Sequence, residues 1–408
     1  SLDTKGREYA FARERLERAG LRTLVVDFGV LGEPPFTPDV GAAEVARAGG
    51  TELEDLRFSR EGSDTRAVAL DVMERGAAKI VRELHEDGRC QAVLGLAGSG
   101  GSTVASGAMR ALPIGVPKVL VSTMAAGNVG LFVGTRDLCL LHSVTDVAGL
   151  DRVSRGILVN AANATAGMVL GEPPGEGGGK PLVAITMFGV TTPAVLRVQS
   201  ALENDGFETI VFHAVGSGGR AMEEMIAEGI VDAVIDVTTS ELTDYTLGGI
   251  FDAGPDRLEA AGRLGIPQVV VPGALEVLNF GPRATIPTAL DVPERRVVVH
   301  NPSVSAVRVN RDEAAELGRL LARKVNAATG PVAVVLPLGG LSKYSAPGGP
   351  FVDPDADEAL FAAVRETLRD DVPLLEVDAN VNDVPFADAV VAAFHDVWAR
   401  QEAEVAHA

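Results

Sequence analysis

Short apolar segments that can form buried strands alternate along this chain with longer segments of helical character. A helix over 7–19 is followed by a strand from Thr23 to Asp27, and a helix over 193–205 is followed by a strand from Thr209 to His213. Strands that alternate with helices are typical of parallel α/β sheets. The pattern therefore predicts an α/β chain in which one plan occurs twice.

Two further pairs of segments support this internal duplication. Residues 88–96 match residues 229–237 in the initial glycine and in their apolar positions, and residues 115–121 match residues 265–271. We therefore predict two Rossmann-like subdomains, each a doubly wound parallel sheet. Ligands of such sheets bind beyond the carboxyl ends of the strands, so we expect the two subdomains to face each other across a cleft that holds the site.

The predicted boundary between the subdomains is a segment rich in glycine and proline. We assign the first subdomain to 1–172, the linker to 173–180 and the second subdomain to 181–408, with an insertion at about 30–62 in the first. The opening segment, Ser1 to Gly6, resembles a strand-to-helix turn, which predicts a strand upstream of Ser1.

Composition narrows the possible partners and compartment. Of the 408 residues 46% are hydrophobic and only 4% aromatic, as expected for helices packed closely on a parallel sheet. The formal net charge of −20 argues against a nucleic-acid partner, and no apolar run approaches the ~20 residues of a membrane span. The two cysteines form no C-x-x-C motif, which favours a reducing, cytoplasmic location.

A glycine-rich loop from Gly95 to Ser102 is the most informative motif. It follows an apolar run and leads into a predicted helix, so its backbone N–H groups are expected to point outward where phosphate binds. Gly101 stands where a P-loop has its lysine, and Thr103 replaces the third glycine of a dinucleotide fingerprint. We interpret the loop as a phosphate-binding site that is neither an ordinary P-loop nor a standard dinucleotide site. The alternative is a tight turn that only packs a helix on a sheet. The candidate cofactor-binding residues here are Gly98, Ser99, Gly100, Gly101, Ser102 and Thr103.

Other polar residues of the first half follow predicted strand ends. Asp27 closes the second strand, about where an acid binds ribose hydroxyls in nucleotide folds, and Lys5 can supply the charge that the glycine loop lacks. A helix cap or a solvated loop acid is the alternative for Asp27. The candidate cofactor-binding residues of this group are Asp3, Thr4, Lys5, Asp27, Thr123 and Asn128.

The strand ends of the second half carry candidate catalytic residues. Gly216 to Gly219 repeats the Gly-Ser-Gly-Gly sequence beside Arg220, which predicts a second anion-binding loop for a substrate carboxylate or phosphate. His213, Glu241 and His300 also follow predicted strands and could serve as general acids or bases, or hold a divalent metal. Hydrogen-bonded structural roles are the alternative.

Several of these motifs together resemble one protein family. They are Asp3-Thr4-Lys5-Gly6, 95–101, 186–193, 213–220, 256–262, 272–275, 279–282 and 300–302. The set is similar to the Tm-one-like family, the bacterial and fungal relatives of the ATP-binding amino-terminal half of the tomato mosaic virus resistance protein. The resemblance implies two Rossmann-like subdomains, ATP bound by the first through 98–103 and Asp3-Thr4-Lys5, and commonly a homodimer.

We expect an ATP- and Mg²⁺-dependent enzyme that acts on a small anionic metabolite in the inter-domain cleft. Phosphoryl or adenylyl transfer needs mainly positioning and charge neutralisation, and Asp3, Asp27 or Glu241 could help hold the metal. A non-catalytic ATP-binding regulatory module that engages a protein partner is the alternative. A nicotinamide-dependent oxidoreductase is a third possibility, weakened by the absent third glycine.

Overall fold

The computed structural model describes residues 1–57, 64–172 and 179–407, and the chain divides into two compact units, Ser1–Gly175 and Glu176–Ala408. We call them unit 1 and unit 2. The expected linker at 173–180 falls outside the described residues over 173–178, as does the end of the expected insertion over 58–62.

Unit 1 is built on a parallel sheet of three strands, in the order β1-β2-β3. Long helices pack on this sheet, and the loops that follow β1 and β2 lie at its carboxyl edge. The elements in chain order are α1 (Leu2–Arg18), α2 (Ala42–Ala48), α3 (Leu53–Arg57), α4 (Asp64–Glu86), β1 (Val93–Ala97), α5 (Ser99–Arg110), β2 (Lys118–Ser122), α6 (Gly130–Val133), β3 (Cys139–His142) and α7 (Arg152–Leu170).

The strand expected from Thr23 to Asp27 does not form, and this prediction was wrong. The segment makes a single parallel bridge, between Val26 and Val40. Its backbone is engaged by the residues that follow it, since the amides of Asp39 and Val40 both donate to the Val25 carbonyl. The expected insertion therefore supplies the pairing partner of this segment.

The described part of the expected insertion packs closely on α4. A Cβ atom on Gly76 of α4 would lie 1.9 Å from the Val45 carbonyl oxygen of α2, and one on Gly49 would lie 2.1 Å from the Val72 carbonyl oxygen. Two helices approach this closely only where both present glycine. The contact fixes the position of α4 beside the glycine loop.

Unit 2 contains a parallel sheet of six strands. Its elements are β4 (Leu182–Met187), α8 (Thr192–Asn204), β5 (Glu208–His213), α9 (Ser217–Ala227), β6 (Ala233–Thr238), α10 (Ser240–Leu247), α11 (Ala260–Leu264), β7 (Gln268–Gly273), β8 (Val277–Phe280), β9 (Val297–Asn301), β10 (Val304–Arg308), α12 (Arg311–Asn326), β11 (Val332–Pro337), α13 (Pro354–Thr367), β12 (Leu374–Val377) and α14 (Val384–His407), with a 3-10 turn at Arg283–Thr285. The order across the parallel sheet is β12-β11-β7-β6-β4-β5, so the direction of winding reverses between β4 and β6.

Apolar cores cover both faces of this sheet because alternate strand residues point to opposite sides. Val270 of β7 packs in the core that includes Leu317 and Leu360 of α12 and α13. Its neighbour Val269 packs in the other core, with Val198 of α8 and Phe394 of α14.

Unit 2 also has a small antiparallel sheet, in the order β8-β10-β9, that the sequence reasoning did not anticipate. It lies after β7 in the chain and interrupts the regular alternation of strand and helix. The protein thus has a mixed α/β fold with parallel sheets. Among the described residues, no helix has the length and apolarity that crossing a bilayer requires.

Candidate functional site

A large cavity opens at the carboxyl edge of the unit 1 sheet, with a volume of about 1030 Å³. Its lining brings together the loop after β1, the first turn of α1 and the loops after β2 and β3. The sequence-predicted residues that line it are Asp3, Thr4, Lys5, Gly98, Ser99, Gly100, Gly101 and Thr123. This edge is where parallel α/β sheets bind their ligands.

The glycine loop forms the N-terminus of α5 in this cavity. Gly98 is the N-cap residue in extended conformation, and the helix begins at Ser99. Among the hydrogen bonds of the described residues, none uses the amides of Ser99, Gly100 or Gly101 as donors. These donors and the positive end of the helix dipole favour an anionic ligand.

Basic side chains reach the same cavity from other elements. The Lys5 ammonium donates to the Val147 carbonyl at 2.5 Å and lies 4.0 Å from an Asp146 carboxylate oxygen. Arg66 of α4 comes so close to the loop that a Cβ atom on Gly100 would lie 3.4 Å from its Nη2 atom. Arg66 therefore places a permanent positive charge beside a loop that lacks the lysine of a P-loop.

Asp3 brings a carboxylate to the cavity, and only one of the two carboxylate oxygens has a hydrogen-bond partner among the described residues. Its Oδ2 atom accepts the Leu31 amide at 3.0 Å, whereas its buried Oδ1 atom has no hydrogen-bond partner among the described residues. Gly29 makes room for it, because a Cβ atom there would lie 2.5 Å from Oδ1. An unpaired buried carboxylate oxygen is costly, which points to a partner of the site supplied from outside the chain.

Apolar side chains form another part of the lining. Phe28 follows the expected strand end at Asp27, and Leu70, Met73 and Val104 come from α4 and α5. The cavity thus combines an apolar wall with a polar, amide-rich edge, the usual composition of a cofactor site.

Four of the sequence-predicted residues do not line this cavity. Buried Asp27 accepts the Leu2 and Gly29 amides and so anchors the start of α1. The Ser102 hydroxyl points into the protein and bonds the Ser122 hydroxyl at 2.6 Å. Thr103 lies one residue further along α5, and Asn128 caps a local turn by accepting the Gly130 amide.

A smaller cavity of about 160 Å³ in unit 2 unites two of the four candidate catalytic residues. His213 lies at the end of β5 and His300 on β9, and both line the cavity with Tyr344. The His300 Nδ1 atom and the Tyr344 hydroxyl are 2.9 Å apart, which fixes the orientation of that imidazole. The sequence placed His300 at the end of a parallel strand, whereas it lies in the antiparallel sheet.

Glu241 and Arg220 do not reach this cavity, because both are engaged by the chain itself. Fully buried Glu241 accepts the amides of Gly216 and Gly219 through Oε1, at 2.6 and 3.1 Å, and the Arg257 Nε–H through Oε2 at 2.7 Å. Arg220 donates to the Asp252 carbonyl at 2.6 Å. The second Gly-Ser-Gly-Gly loop thus binds a carboxylate of its own chain, and the amides of Gly216 and Gly219 are not available to the substrate anion expected there.

His213, Glu241 and His300 therefore do not converge as a metal site. Within the described ranges no group of three or more His, Cys, Asp or Glu side chains is arranged to hold a metal ion. Sequence reasoning missed Arg66, Asp146 and Tyr344. Each is separated along the chain from the motif that it joins, so no local pattern marks it.

The chain is similar to known proteins along nearly its whole length. Residues 1–174 match the uncharacterised protein family (UPF0261) N-terminal domain, and residues 180–398 match the corresponding C-terminal domain. A UPF0261 protein of Clostridium tetani is 44% identical over 391 residues, covering 96% of this chain and 95% of that protein. The UPF0261 protein RA0729 of Rhizobium meliloti is 39% identical over 401 residues, covering 97% of each chain.

A plant protein is similar over a smaller share of its length. The ToMV resistance protein Tm-1(GCR237) of Solanum lycopersicum is 38% identical over 342 residues, which cover 82% of this chain and 45% of that protein. Among solved structures, a glycosyltransferase from Streptomyces complexed with thymidine diphosphate is 16% identical over 64% of this chain and 76% of that one, with a TM-score of 0.14.

Proposed function

The chain belongs to the uncharacterised protein family UPF0261, and from the residues of its cavity we propose that unit 1 binds ATP with Mg²⁺. The observation that carries this proposal is the row of open amides at Ser99, Gly100 and Gly101, which faces a large cavity beside Arg66. The resemblance to the Tm-one-like family implies the same ligand.

The phosphates are assigned to the glycine loop. Amide donors at a helix N-terminus bind phosphate without a side chain, and Arg66 and Lys5 supply the positive charge that a P-loop takes from its lysine. The base and ribose are assigned to the apolar wall of Phe28, Leu70 and Met73. The cavity lies at the upper end of the ~300–1,000 Å³ range of ligand sites, which suits a nucleotide better than a small metabolite.

The residues present also fit a magnesium ion that arrives with the nucleotide. Asp3 and Asp146 bring carboxylates to the cavity, and the Oδ1 atom of Asp3 is without a hydrogen-bond partner among the described residues. Mg²⁺ in nucleotide sites is commonly held by one or two carboxylates together with phosphate oxygens. The ion would neutralise phosphate charge, and these two carboxylates would hold it. A small anionic substrate, a cleft between two facing Rossmann-like subdomains and a homodimer stay predictions.

Thermal-shift and calorimetric titrations with ATP, ADP, AMP and NAD, each with and without Mg²⁺, test the proposal. We expect ATP with Mg²⁺ to raise the melting temperature most, since binding at 100 times Kd stabilises a protein by about 2.7 kcal/mol. Gly100→Val is expected to abolish the shift, because its side chain would occupy the space between the loop and Arg66. Arg66→Gln is expected to weaken ATP binding about tenfold and AMP binding much less.

Arg82→Gln is the matched control, because Arg82 is an exposed arginine of the same helix and does not line the cavity. It should bind ATP like the wild type. Equal losses in Arg66→Gln and Arg82→Gln would contradict the assignment of the phosphates, and a shift with none of the nucleotides would contradict the proposal.

A further inference from the structure

The small cavity of unit 2 lies at the carboxyl ends of two neighbouring strands of the parallel sheet. Phe188, Gly189 and Val190 follow β4 directly, and His213 ends the adjacent β5. In parallel α/β sheets, ligands bind beyond the carboxyl ends of the strands. The cavity therefore lies at the ligand-binding edge of this sheet, beside β4 and β5 and not at the reversal between β4 and β6.

The lining of this cavity combines apolar surface with a few uncharged polar groups. Phe188, Val190, Phe251, Val304 and Ala306 supply the apolar part, with the rings of Phe188 and Phe251 6.0 Å apart. The described lining contains no lysine, arginine, aspartate or glutamate. A permanently charged ligand would lose its hydration here without a counter-ion, so the lining favours an uncharged molecule.

Asn279 supplies a fixed hydrogen-bond acceptor. The residue is 1% exposed and lines the cavity, while its Nδ2 atom donates to Asp244 Oδ2 at 3.1 Å and its backbone amide donates to Asp244 Oδ1 at 2.8 Å. These contacts fix which end of the side-chain amide is the donor. Among the hydrogen bonds of the described residues none reaches the Asn279 Oδ1 atom, so this acceptor is left for a ligand.

Asp244 is itself held in place by several donors. It also accepts the Phe251 amide at 2.9 Å, and burial raises the pKa of this carboxyl to about 7. The orientation of Asn279 thus depends on a buried network and not on an exposed loop. Such rigid support is typical of a polar group that selects a ligand.

The size of the cavity limits the ligand further. Its volume of about 160 Å³ is close to the ~150 Å³ of an engineered apolar cavity that binds benzene. The imidazoles of His213 and His300 complete the lining, and the described residues give the His213 ring no hydrogen-bond partner.

We propose that unit 2 contains a second ligand site, which binds an uncharged molecule of about the size of a six-membered ring that carries a hydroxyl or N–H donor. The donor binds the Asn279 Oδ1 atom, and the body of the molecule packs on Phe188, Phe251 and Val304. The Tyr344-oriented His300 and His213 lie beside the bound molecule. The uncharged ligand proposed for this site differs from the anionic substrate that the sequence suggested. Its binding does not depend on nucleotide binding in unit 1.

Binding of phenol, toluene and benzoate to the full chain tests this proposal, because the three share a ring and differ in donor and charge. Saturation-transfer NMR and titration should give a Kd for phenol about tenfold lower than for toluene, owing to the added hydrogen bond, and at least tenfold lower than for benzoate. Gly189→Leu should abolish phenol binding, because Gly189 lines the cavity and a Cβ atom there meets nothing within 4 Å.

Gly156→Leu is the matched control, since a Cβ atom on Gly156 of α7 also meets nothing within 4 Å and Gly156 does not line this cavity. Ala306→Val provides a second variant that reduces the cavity should Gly189→Leu fail to fold. Equal affinity for phenol and toluene, no binding of phenol, or phenol binding that survives both cavity variants would each overturn the proposal. None of these results bears on ATP binding, which Arg66→Gln tests separately.

Discussion

Glu241 shows how a buried charge is stabilised at a single position. It accepts the backbone amides of Gly216, which precedes α9, and of Gly219 in the first turn of α9. It also pairs with Arg257, whose guanidinium binds Asp236 through two hydrogen bonds at 2.5 and 2.7 Å. All these groups are buried. Removing one partner from such a network is strongly destabilising, because it leaves an uncompensated charge in the interior.

Gly219→Ala tests this network without removing a charge. The new Cβ atom would lie 2.1 Å from the Glu241 Oε2 atom, so the carboxylate must move away from its amides. We expect the free energy of unfolding to fall by about 3 kcal/mol. Gly189→Ala is the control in the same unit, since its Cβ atom meets nothing within 4 Å. The two variants should be compared by denaturant unfolding of the full chain, and equal stabilities would contradict the role of Glu241.

Part of the unit 1 site could be predicted at the residue scale, because position after a strand identifies residues such as Gly100 and Thr123. The same rule could not separate Ser99, which lines the cavity, from Ser102, which points inward. That difference depends on where the first helical turn begins. Arg66 could not be found at all, because its approach to the loop depends on how α4 packs.

At the scale of elements, α4 is the wall of the unit 1 cavity. It contributes Arg66, Ala69, Leu70 and Met73 to the lining, and α2 supports it from behind through the close contact at Gly76. Small movements of α4 would therefore change the shape of the cavity.

Gly76→Ala should move α4 and weaken nucleotide binding at a distance. Because the new Cβ atom would lie 1.9 Å from the Val45 carbonyl oxygen, we expect a loss of about 2 kcal/mol in the free energy of unfolding and a several-fold weaker affinity for ATP. Gly167→Ala in α7 is the control, because its Cβ atom has no neighbour within 4 Å. It should be neutral or stabilising by up to about 1 kcal/mol. Unchanged stability and affinity in Gly76→Ala would disprove this account.

Element prediction succeeded where local pattern and tertiary pairing agree. The helix expected over 193–205 and the strand expected from Thr209 to His213 form as Thr192–Asn204 and Glu208–His213. The segment from Thr23 to Asp27 has the same apolar pattern, yet it pairs with the chain around Val40 through one bridge. The strand from Glu208 to His213 has a neighbouring strand, β4, along its whole length, whereas among the described residues the segment from Thr23 to Asp27 has none. A sequence pattern does not reveal this difference in pairing partners.

At the scale of the whole molecule, each unit has its own cavity with its own chemistry. The unit 1 cavity has open amides and charged side chains, and the described lining of the unit 2 cavity has no lysine, arginine, aspartate or glutamate. The repeat in the sequence anticipated two α/β halves, but not the antiparallel sheet that supplies Asn279, His300 and Val304 to the second cavity.

Hydrogen exchange of the full chain should separate the two sites. ATP with Mg²⁺ is expected to slow exchange in peptides that contain 66–73 and 98–104, and phenol in peptides that contain 188–190 and 277–280. Apo protein and protein with toluene are the references for phenol. Protection of the 277–280 peptide by ATP alone would show that the two ligands do not act at the separate places assigned to them.

The two Gly-Ser-Gly-Gly loops both begin helices, at Ser99 and at Ser217. Among the described residues, a side chain of the chain itself, that of Glu241, binds the amides of the second loop, and none binds those of the first. From the sequence alone, both loops would be counted as anion-binding sites for ligands of the protein. In the folded chain the carboxylate of Glu241 takes the place of a bound anion at the second loop, because it accepts the amides of Gly216 and Gly219. After a duplication, one copy of a binding motif can thus lose its capacity for an external anion while its own residues stay unchanged. A single glutamate elsewhere in the chain is sufficient, because it binds the amides of the motif.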